Sequence, residues 1–133
     1  MNLNLRQSSN TSSKALCGVT ELILTDRSQA QLQLVLPMIC YLTNVQEERW
    51  VTWITDRAID KKALMEMGVN TKVFRILTCA NKTDLLWVTW EALSSGTSHT
   101  VITEAGRLSE TEIAQLEHAA EIGQSQGLIL RHR

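Results

Sequence analysis

Short apolar runs alternate with helical stretches along this chain, and this alternation constrains the fold more than any other feature. The apolar runs predict strands at residues 21–24, 50–55, 73–77, 99–103 and 128–130. Helices are predicted between them, at about residues 29–43, 60–67, 81–93 and 109–124. Because each strand is too apolar for a half-exposed sheet, the pattern predicts an α/β fold: a single three-layer domain whose mainly parallel central sheet is flanked by helices.

Capping residues mark where the predicted helices begin. Ser28 and Asn81 each precede a helical stretch, and Ser109 has the spacing of a capping box with Glu112. Apolar residues occupy both sides of the first helix, which predicts that this helix is deeply buried. Pro37 lies inside it and removes one backbone hydrogen bond, so we expect a kink there.

Length and composition are those of one globular domain. The chain has 133 residues, of which 44% are hydrophobic and 20% are charged, a balance typical of soluble proteins. We expect a flexible polar leader over residues 1–18 and a domain over residues 19–133. The three cysteines have no C-x-x-C spacing and the leader has no apolar core, which together predict a reduced, cytoplasmic protein.

Charge and hydropathy argue against nucleic acid and membrane as partners. Thirteen basic residues against 14 acidic ones give a net charge of −1, whereas a protein that binds the phosphates of nucleic acid usually has a basic excess. The longest nearly unbroken apolar run covers residues 34–42. A membrane span needs roughly 20 apolar residues, about twice that length. We expect neither partner.

The loop after the first predicted strand lacks a phosphate-binding motif. A phosphate loop reads G-x-x-x-x-G-K-[ST], and its backbone N–H groups cradle the phosphates. Residues 25–30 read T-D-R-S-Q-A, without glycine, and no G-x-G-x-x-G occurs in the chain. Gly123 and Gly127 stand at the end of a predicted helix, where tolerance of positive φ is the simpler explanation.

No residue pattern points to catalysis or to a metal. The histidines, at positions 99, 118 and 132, lie far apart in the sequence, and none pairs with a cysteine or carboxylate at metal-ligand spacing. Cys40 and Cys79 fall in apolar runs, where an inert buried thiol is typical. We expect a protein that is not an enzyme and that carries no cofactor.

Several segments, in order along the chain, carry a resemblance to a known family. Residues 34–39 (L-V-L-P-M-I) and 49–54 (R-W-V-T-W-I) are similar to an L-L-L-P-L-L helix and an R-W-x-x-W strand. Residues 91–96 (E-A-L-S-S-G) are similar to an A-L-x-x-G segment, and residues 108–131 to the ending L-T-x-x-E … A-A-x-x-G-x-x-x-G-F-I-x-R. Together they resemble the SulA family of bacterial cell-division inhibitors, over most of the chain.

The resemblance implies an inhibitor that acts without catalysis. Members of the SulA family are made in the SOS response to DNA damage, bind the division GTPase FtsZ and block its polymerisation, which delays septation. The resemblance also implies a RecA-like core lacking a Walker A motif, and a homodimer formed through the sheets. Lon protease recognises some relatives by a C-terminal tail. The chain ends at Arg133 without that tail, so we do not carry over their rapid turnover.

The residues expected to contact FtsZ cluster around the second strand. The match to the family motif carries over Arg49, Ile54 and Lys72, and the family's aromatic in the next helix has only Ala63 or Leu64 in its place. Independently, residues 49–72 hold five basic side chains against three acidic ones, and Arg and Trp are enriched at interface hot spots. The predicted contact residues are Arg49, Trp50, Ile54, Arg57, Lys61, Lys62, Leu64 and Lys72.

Tryptophan dominates the aromatic residues, with four Trp against one Tyr and one Phe. Side chains alternate along a strand, so Trp50 and Trp53 must point to opposite faces. We expect Trp53 in the core and Trp50 near an interface. Trp87 and Trp90 lie three positions apart on one side of a helix, and we expect both to pack against the sheet.

Two alternative functions stay open. A RecA-like accessory protein of DNA damage tolerance would share the architecture but should show a basic groove or a long basic tail. Only residues 131–133 (R-H-R) hint at such a tail. A small nucleotide-binding regulator with an unusual phosphate site would bind ATP or GTP by itself, and we expect no such binding.

Overall fold

Strands and helices alternate throughout the described part of the chain. The computed structural model describes residues 17–24, 29–46 and 48–132. Its elements are β1 (Gly18–Leu24), α1 (Gln29–Val45), β2 (Trp50–Thr55), α2 (Lys61–Glu66), β3 (Phe74–Thr78), α3 (Lys82–Ser94), β4 (Ser98–Thr103), α4 (Glu110–Gly123) and β5 (Gln126–His132). The predicted alternation is confirmed. Residues 1–16 of the predicted leader lie outside the described residues, and β1 begins inside the predicted leader, three residues earlier than expected.

The strands form one sheet in which every neighbouring pair is parallel. Their order is β1-β5-β4-β2-β3, so β2 lies between β4 and β3, and β1 and β3 form the edges. Parallel neighbours need a crossover connection, and helices provide it here. The predicted mainly parallel sheet is therefore confirmed, and the amino ends of all five strands lie at the same edge.

Two hydrophobic cores hold the helices against the two faces of the sheet. Helices α1 and α2 share one core with Trp53 and Phe74, and helices α3 and α4 share the other with Ile54 and Leu116. Because side chains alternate along a strand, β2 contributes to both cores. The domain thus has three layers, and Trp53 is buried as predicted.

Helix starts follow the predicted capping chemistry where the structure describes them. The Ser109 hydroxyl accepts a hydrogen bond from the Glu112 backbone N–H at 3.1 Å, and the Glu112 carboxylate accepts one from the Ser109 N–H at 2.8 Å. This confirms the capping box at the start of α4. Asn81 caps α3 by accepting a bond from the Asp84 N–H at 2.9 Å. Ser28 lies outside the described residues.

Helix α1 is less buried than its composition predicts. Val35, Leu36 and Ile39 face the core, but Tyr41 and Val45 are exposed at its outer side. The expectation of deep burial was wrong for this outer side, because one side of α1 meets the sheet and no other described element covers the opposite side. Pro37 lies inside the helix, as expected, and is exposed.

Gly123 allows helices α3 and α4 to end very close together. A Cβ atom at this position would lie 1.8 Å from the backbone oxygen of Leu93, near the end of α3. Positive φ, expected for Gly123 and Gly127, occurs at neither; Gln124 takes the left-handed conformation instead, with φ of 52°. The expectation was wrong because close backbone approach, not backbone conformation, requires the glycine at position 123.

Replacement of Gly123 by alanine should destabilise the fold by about 2 kcal/mol or more, because the new methyl group overlaps the Leu93 carbonyl. In an unhindered helix interior, alanine would instead be more stable than glycine by about 0.5–1 kcal/mol. Urea unfolding followed by tryptophan fluorescence measures the change. Gly127→Ala is the matched control and should cost less, since its nearest neighbours are side-chain methyls 3.3 Å away or more. Unchanged stability in Gly123→Ala would contradict the close approach.

Candidate functional site

Two of the predicted contact residues are buried. Ile54 has no exposed surface and packs in the core under α3 and α4. Leu64 packs in the opposite core, on the inner side of α2. Ile54 points inward because side chains alternate along β2, and Leu64 points inward because it lies on the side of α2 that packs against the sheet. Neither reaches the surface, so the structure removes both from the candidate surface.

At the carboxyl end of β2, the charge of Arg57 is matched within the chain. Its Nη2 lies 2.7 Å from Oε1 of Glu104, which follows β4. The other Glu104 oxygen accepts a hydrogen bond from the Trp53 indole N–H at 2.9 Å, and the Glu104 side chain is only 8% exposed. Lys61 and Lys62, also predicted as contacts, lie exposed in the first turn of α2.

This carboxyl edge is where open α/β sheets usually bind ligands, between strands whose connections leave in opposite directions. Here the chain leaves β2 toward β3 and leaves β4 toward β5, on opposite sides of the sheet. The Arg57–Glu104 pair lies at the end of these two strands. Residues 25–28 of the loop that lacks glycine lie outside the described residues.

The remaining predicted residues meet at the amino end of β2 and β3. Arg49, Trp50 and Lys72 line an open groove of about 490 Å³, together with residues of the loop before β4. They converge because β2 and β3 are parallel neighbours, so the loops that precede them lie side by side. With Arg75, described below, we call these residues the amino-end patch: Arg49, Trp50, Lys72 and Arg75.

Side-chain hydrogen bonds fix both loops that carry the patch. The Gln46 side chain accepts bonds from the backbone N–H groups of Glu48 and Arg49 at 3.1 and 3.0 Å, and donates to the Arg49 carbonyl at 2.9 Å. Before β3, the Asn70 side chain accepts a bond from the Lys72 N–H at 3.1 Å. Asn and Gln side chains often stabilise short turns in this way, by hydrogen bonds to backbone groups two or three residues away. The backbone of the patch is therefore held in place before any partner binds.

Arg49 is tied to the ends of two helices. Its Nη1 donates to the carbonyl of Gly123, at the end of α4, over 3.3 Å, and lies 3.5 Å from the carbonyl of Gly96, just after α3. A cation near helix C-termini is stabilising, because the last carbonyls are unpaired and the helix dipole is negative there. Arg49 therefore supports the fold as well as lining the groove.

Arg75 belongs to the same patch, although the sequence analysis missed it. It lies on edge strand β3, and its Cζ stands 5.5 Å from the centre of the Trp50 ring. Its Nε donates to the Thr52 hydroxyl at 2.9 Å. Partial burial lowers the pKa of Arg75, although a guanidinium stays charged. The signal present in the sequence is a single charged residue within the strand F-R-I-L-T.

The cations of the patch are not paired with carboxylates in the described part of the chain. The ion pairs found there are Arg57 with Glu104 and Arg131 with Glu21. Glu48 lines the groove but forms no ion pair with the patch. Trp50, at 36% exposure, adds apolar surface beside these charges. Charge and apolar area together are typical of a protein-binding surface.

A second apolar feature lies on the outer side of α3. The rings of Trp87 and Trp90 stack with their centres 5.8 Å apart, and Trp87 is 59% exposed. The expectation that both pack against the sheet was wrong for Trp87. Helix α3 meets the sheet through another side, which carries Leu85, Thr89 and Leu93, so the helical period directs Trp87 outward.

Other kinds of site find little support in the described residues. Among them, no group of three or more His, Cys, Asp or Glu side chains could hold a metal ion. No helix within residues 29–46 and 48–132 is long and apolar enough to cross a membrane. Cys40 and Cys79 are half-buried free thiols, and burial, followed by the charge of Asp84, raises the pKa of Cys79.

Comparisons with known proteins identify the family. No family model matches the chain. The cell division inhibitor SulA of Pseudomonas aeruginosa is 33% identical over 113 residues, which cover 84% of this chain and 70% of that protein. The crystal structure of SulA from Pseudomonas aeruginosa matches with a TM-score of 0.79 and 32% identity, over 86% of this chain and 98% of that chain. The chain belongs to the SulA family.

More distant relatives agree with this assignment. Cell division inhibitor SulA of Serratia marcescens is 27% identical over 85% of this chain and 67% of that protein. The SulA of Serratia proteamaculans is 28% identical over the same shares. The expected family is thus confirmed, and with it the α/β fold. The likeness to a RecA-type core stays a prediction.

Replacement of Arg49 by glutamine should lower the free energy of unfolding by about 1–3 kcal/mol, because the carbonyls at the ends of α3 and α4 lose a charged donor. Urea unfolding measures this loss. Lys72→Gln is the matched control: it removes one exposed cation of the same patch and should change stability by less than about 0.5 kcal/mol. Equal stability of both variants would show that the helix-end contacts of Arg49 contribute nothing.

His99 offers an electrostatic test of the same arrangement. Burial, and then the positive charge of Arg49, lower the pKa of His99. Since the Arg49→Gln variant removes only the second cause, its His99 pKa should rise but stay below the ordinary ~6.5. NMR titration of the imidazole measures the pKa in both proteins. A pKa that does not move would place the Arg49 charge elsewhere.

The same pKa shift predicts a pH dependence of stability. The pKa is lower in the folded than in the unfolded state, so the unfolded chain binds the proton first as pH falls. The contribution of neutral His99 is therefore complete above the unfolded pKa of ~6.5 and declines as pH falls from there toward the folded pKa. Replacing His99 by glutamine should flatten this decline in urea unfolding across that range. An equally steep decline in the variant would contradict the assignment.

Proposed function

We propose that this protein inhibits cell division by binding FtsZ through the amino-end patch and blocking its polymerisation, without catalysis. Family membership supports a division inhibitor, since the relatives carry that name. We choose the amino-end patch as the contact surface because Arg49, Lys72 and Arg75 cluster there and have no carboxylate partner among the described residues. Unmatched cations beside an exposed tryptophan favour an acidic protein surface as the ligand.

The positions carried over from the family motif support the same choice. Arg49 and Lys72 are far apart in sequence but line one groove. Ile54, the third carried-over position, lies in the same strand as Trp50 but is buried. It therefore supports the strand rather than touching the partner. Arg57, at the other end of β2, already pairs with Glu104, which leaves it less free to bind a partner.

Inhibition of this kind requires only that the protein occupy a surface of FtsZ; it requires no reacting group. A bound protein that covers a contact surface of FtsZ subunits would remove those subunits from the polymer. The preformed loops of the patch reduce the ordering cost of association. Its cations would speed encounter with an acidic surface, and added salt should weaken inhibition because exposed charges are screened over ~8–10 Å at physiological ionic strength.

The resemblance supplies the wider setting of the proposal. We propose synthesis in the SOS response, action in the cytoplasm and a delay of septation. A homodimer through the sheets is consistent with the position of β1 and β3 as the edge strands of the sheet in the described part of the chain. Ile23, on β1, is exposed at such an edge. Only the family resemblance supports Lon protease as a further proposed partner.

Sedimentation of FtsZ polymer with GTP tests the proposal. FtsZ of the source organism should lose sedimentable polymer as this protein approaches equal concentration. Lys72→Glu should raise the concentration for half-inhibition about tenfold, because it reverses one charge of the patch. Undiminished polymer with the unaltered protein would overturn the proposed function.

A matched control and a competing surface complete the design. Arg107→Glu makes the same charge reversal at an exposed residue beyond the carboxyl end of β4, outside the patch, and should inhibit like the unaltered protein. A Lys61→Glu, Lys62→Glu double variant tests the other end of β2. Loss of inhibition in the double variant but not in Lys72→Glu would move the contact surface to the carboxyl end.

A further inference from the structure

We infer that Arg75 is the specificity-determining contact of the amino-end patch, and that it receives a carboxylate from an acidic segment of the partner. The inference rests on the proposed function and names a residue that no sequence motif marks. Arg75 lies on β3, the edge strand beside β2. It contacts Trp50 and Thr97, both of which line the groove.

Neutral hydroxyls hold the guanidinium of Arg75 in place. Its Nε donates to Thr52 Oγ1 at 2.9 Å, and its Nη2 lies 3.3 Å from Thr97 Oγ1 and 3.4 Å from Ser98 Oγ. Thr52 and Ser98 are fully buried and bond to each other at 2.8 Å. These acceptors fix the orientation of the guanidinium but carry no charge, so they leave its positive charge uncompensated.

Within the described part of the chain, part of the Arg75 guanidinium has no acceptor and can meet a ligand. Nη1 has no acceptor among residues 17–24, 29–46 and 48–132. On one side the guanidinium faces the Trp50 ring, with Cζ 5.5 Å from the ring centre, an arrangement that favours a cation and limits its movement. A guanidinium held in this way is prepared for a carboxylate, because its planar donors match the two carboxylate oxygens.

The surroundings favour an acidic protein segment over other anions. Arg49 and Lys72 lie at the same end of the sheet, and Glu48 is the one acidic residue of the groove lining within the described chain. Trp50 offers apolar area next to these charges, which suits a peptide segment that combines carboxylates with an apolar side chain. Nucleic acid is disfavoured by the net charge of −1.

Binding of variants of this chain to FtsZ tests the inference. Arg75→Gln should weaken binding about tenfold or more, and Arg75→Lys about threefold, because lysine keeps the charge but loses the planar donors. The affinity of Arg75→Gln should also depend less steeply on salt. Arg107→Gln removes an exposed arginine at the other end of the sheet and should bind like the unaltered protein. Thermal unfolding checks that each variant folds. We expect Arg75→Gln to fold, because the buried Thr52 and Ser98 hydroxyls still bond to each other when the guanidinium is removed.

The outcomes separate the inference from the function on which it rests. If the unaltered protein does not bind FtsZ, the proposed function falls and the inference falls with it. If it binds and inhibits but Arg75→Gln and Arg75→Lys both match it, only the inference is overturned. Tighter, Arg75-dependent binding to a duplex DNA oligonucleotide than to FtsZ would overturn the acidic-protein assignment. Graded loss from Arg to Lys to Gln, with Arg107→Gln unchanged, would support it.

Discussion

The parallel direction of all the strands decides where the candidate site lies. In a parallel sheet the loops before neighbouring strands meet at one edge, and the loops after them meet at the opposite edge. Arg49 and Lys72, which precede β2 and β3, therefore become neighbours in space. Arg57 and Glu104, which follow β2 and β4, become neighbours at the other edge and neutralise each other. Among the described residues, the same topology thus gathers Arg49, Lys72 and Arg75 without carboxylate partners at the amino edge, and places the Arg57–Glu104 ion pair at the carboxyl edge.

Three separate sequence segments depend on each other at the amino edge. Gly123 lets α4 end against the Leu93 carbonyl of α3. That approach brings the carbonyls of Gly96 and Gly123 within reach of the same Arg49 nitrogen. The segments at 49–54, 91–96 and 108–131, which lie far apart in the sequence, therefore each contribute a residue to one contact. Arg49 bonds both helix ends, whatever it also contributes to binding.

Local signals sufficed for the elements but not for the surface. Alternation and capping are properties of residues close in sequence, and they predicted the succession of strands and helices along the chain and the Ser109–Glu112 capping box. The surroundings of Arg75 come from Thr52, Thr97 and Ser98, more than twenty residues away, so no local pattern could reveal them. The wrong prediction for Trp87 has a different cause. A helical period shows which residues share a side, but packing decides which side meets the sheet.

A net charge near zero conceals the most informative electrostatic feature of the molecule. The chain as a whole carries −1, yet the patch holds three cations without carboxylate partners in the described residues. Charges interact appreciably with a partner only within roughly a Debye length, ~8–10 Å in physiological salt, so local arrangement matters more than the total. Recognition by charge is therefore available to a protein whose net charge alone argues against it.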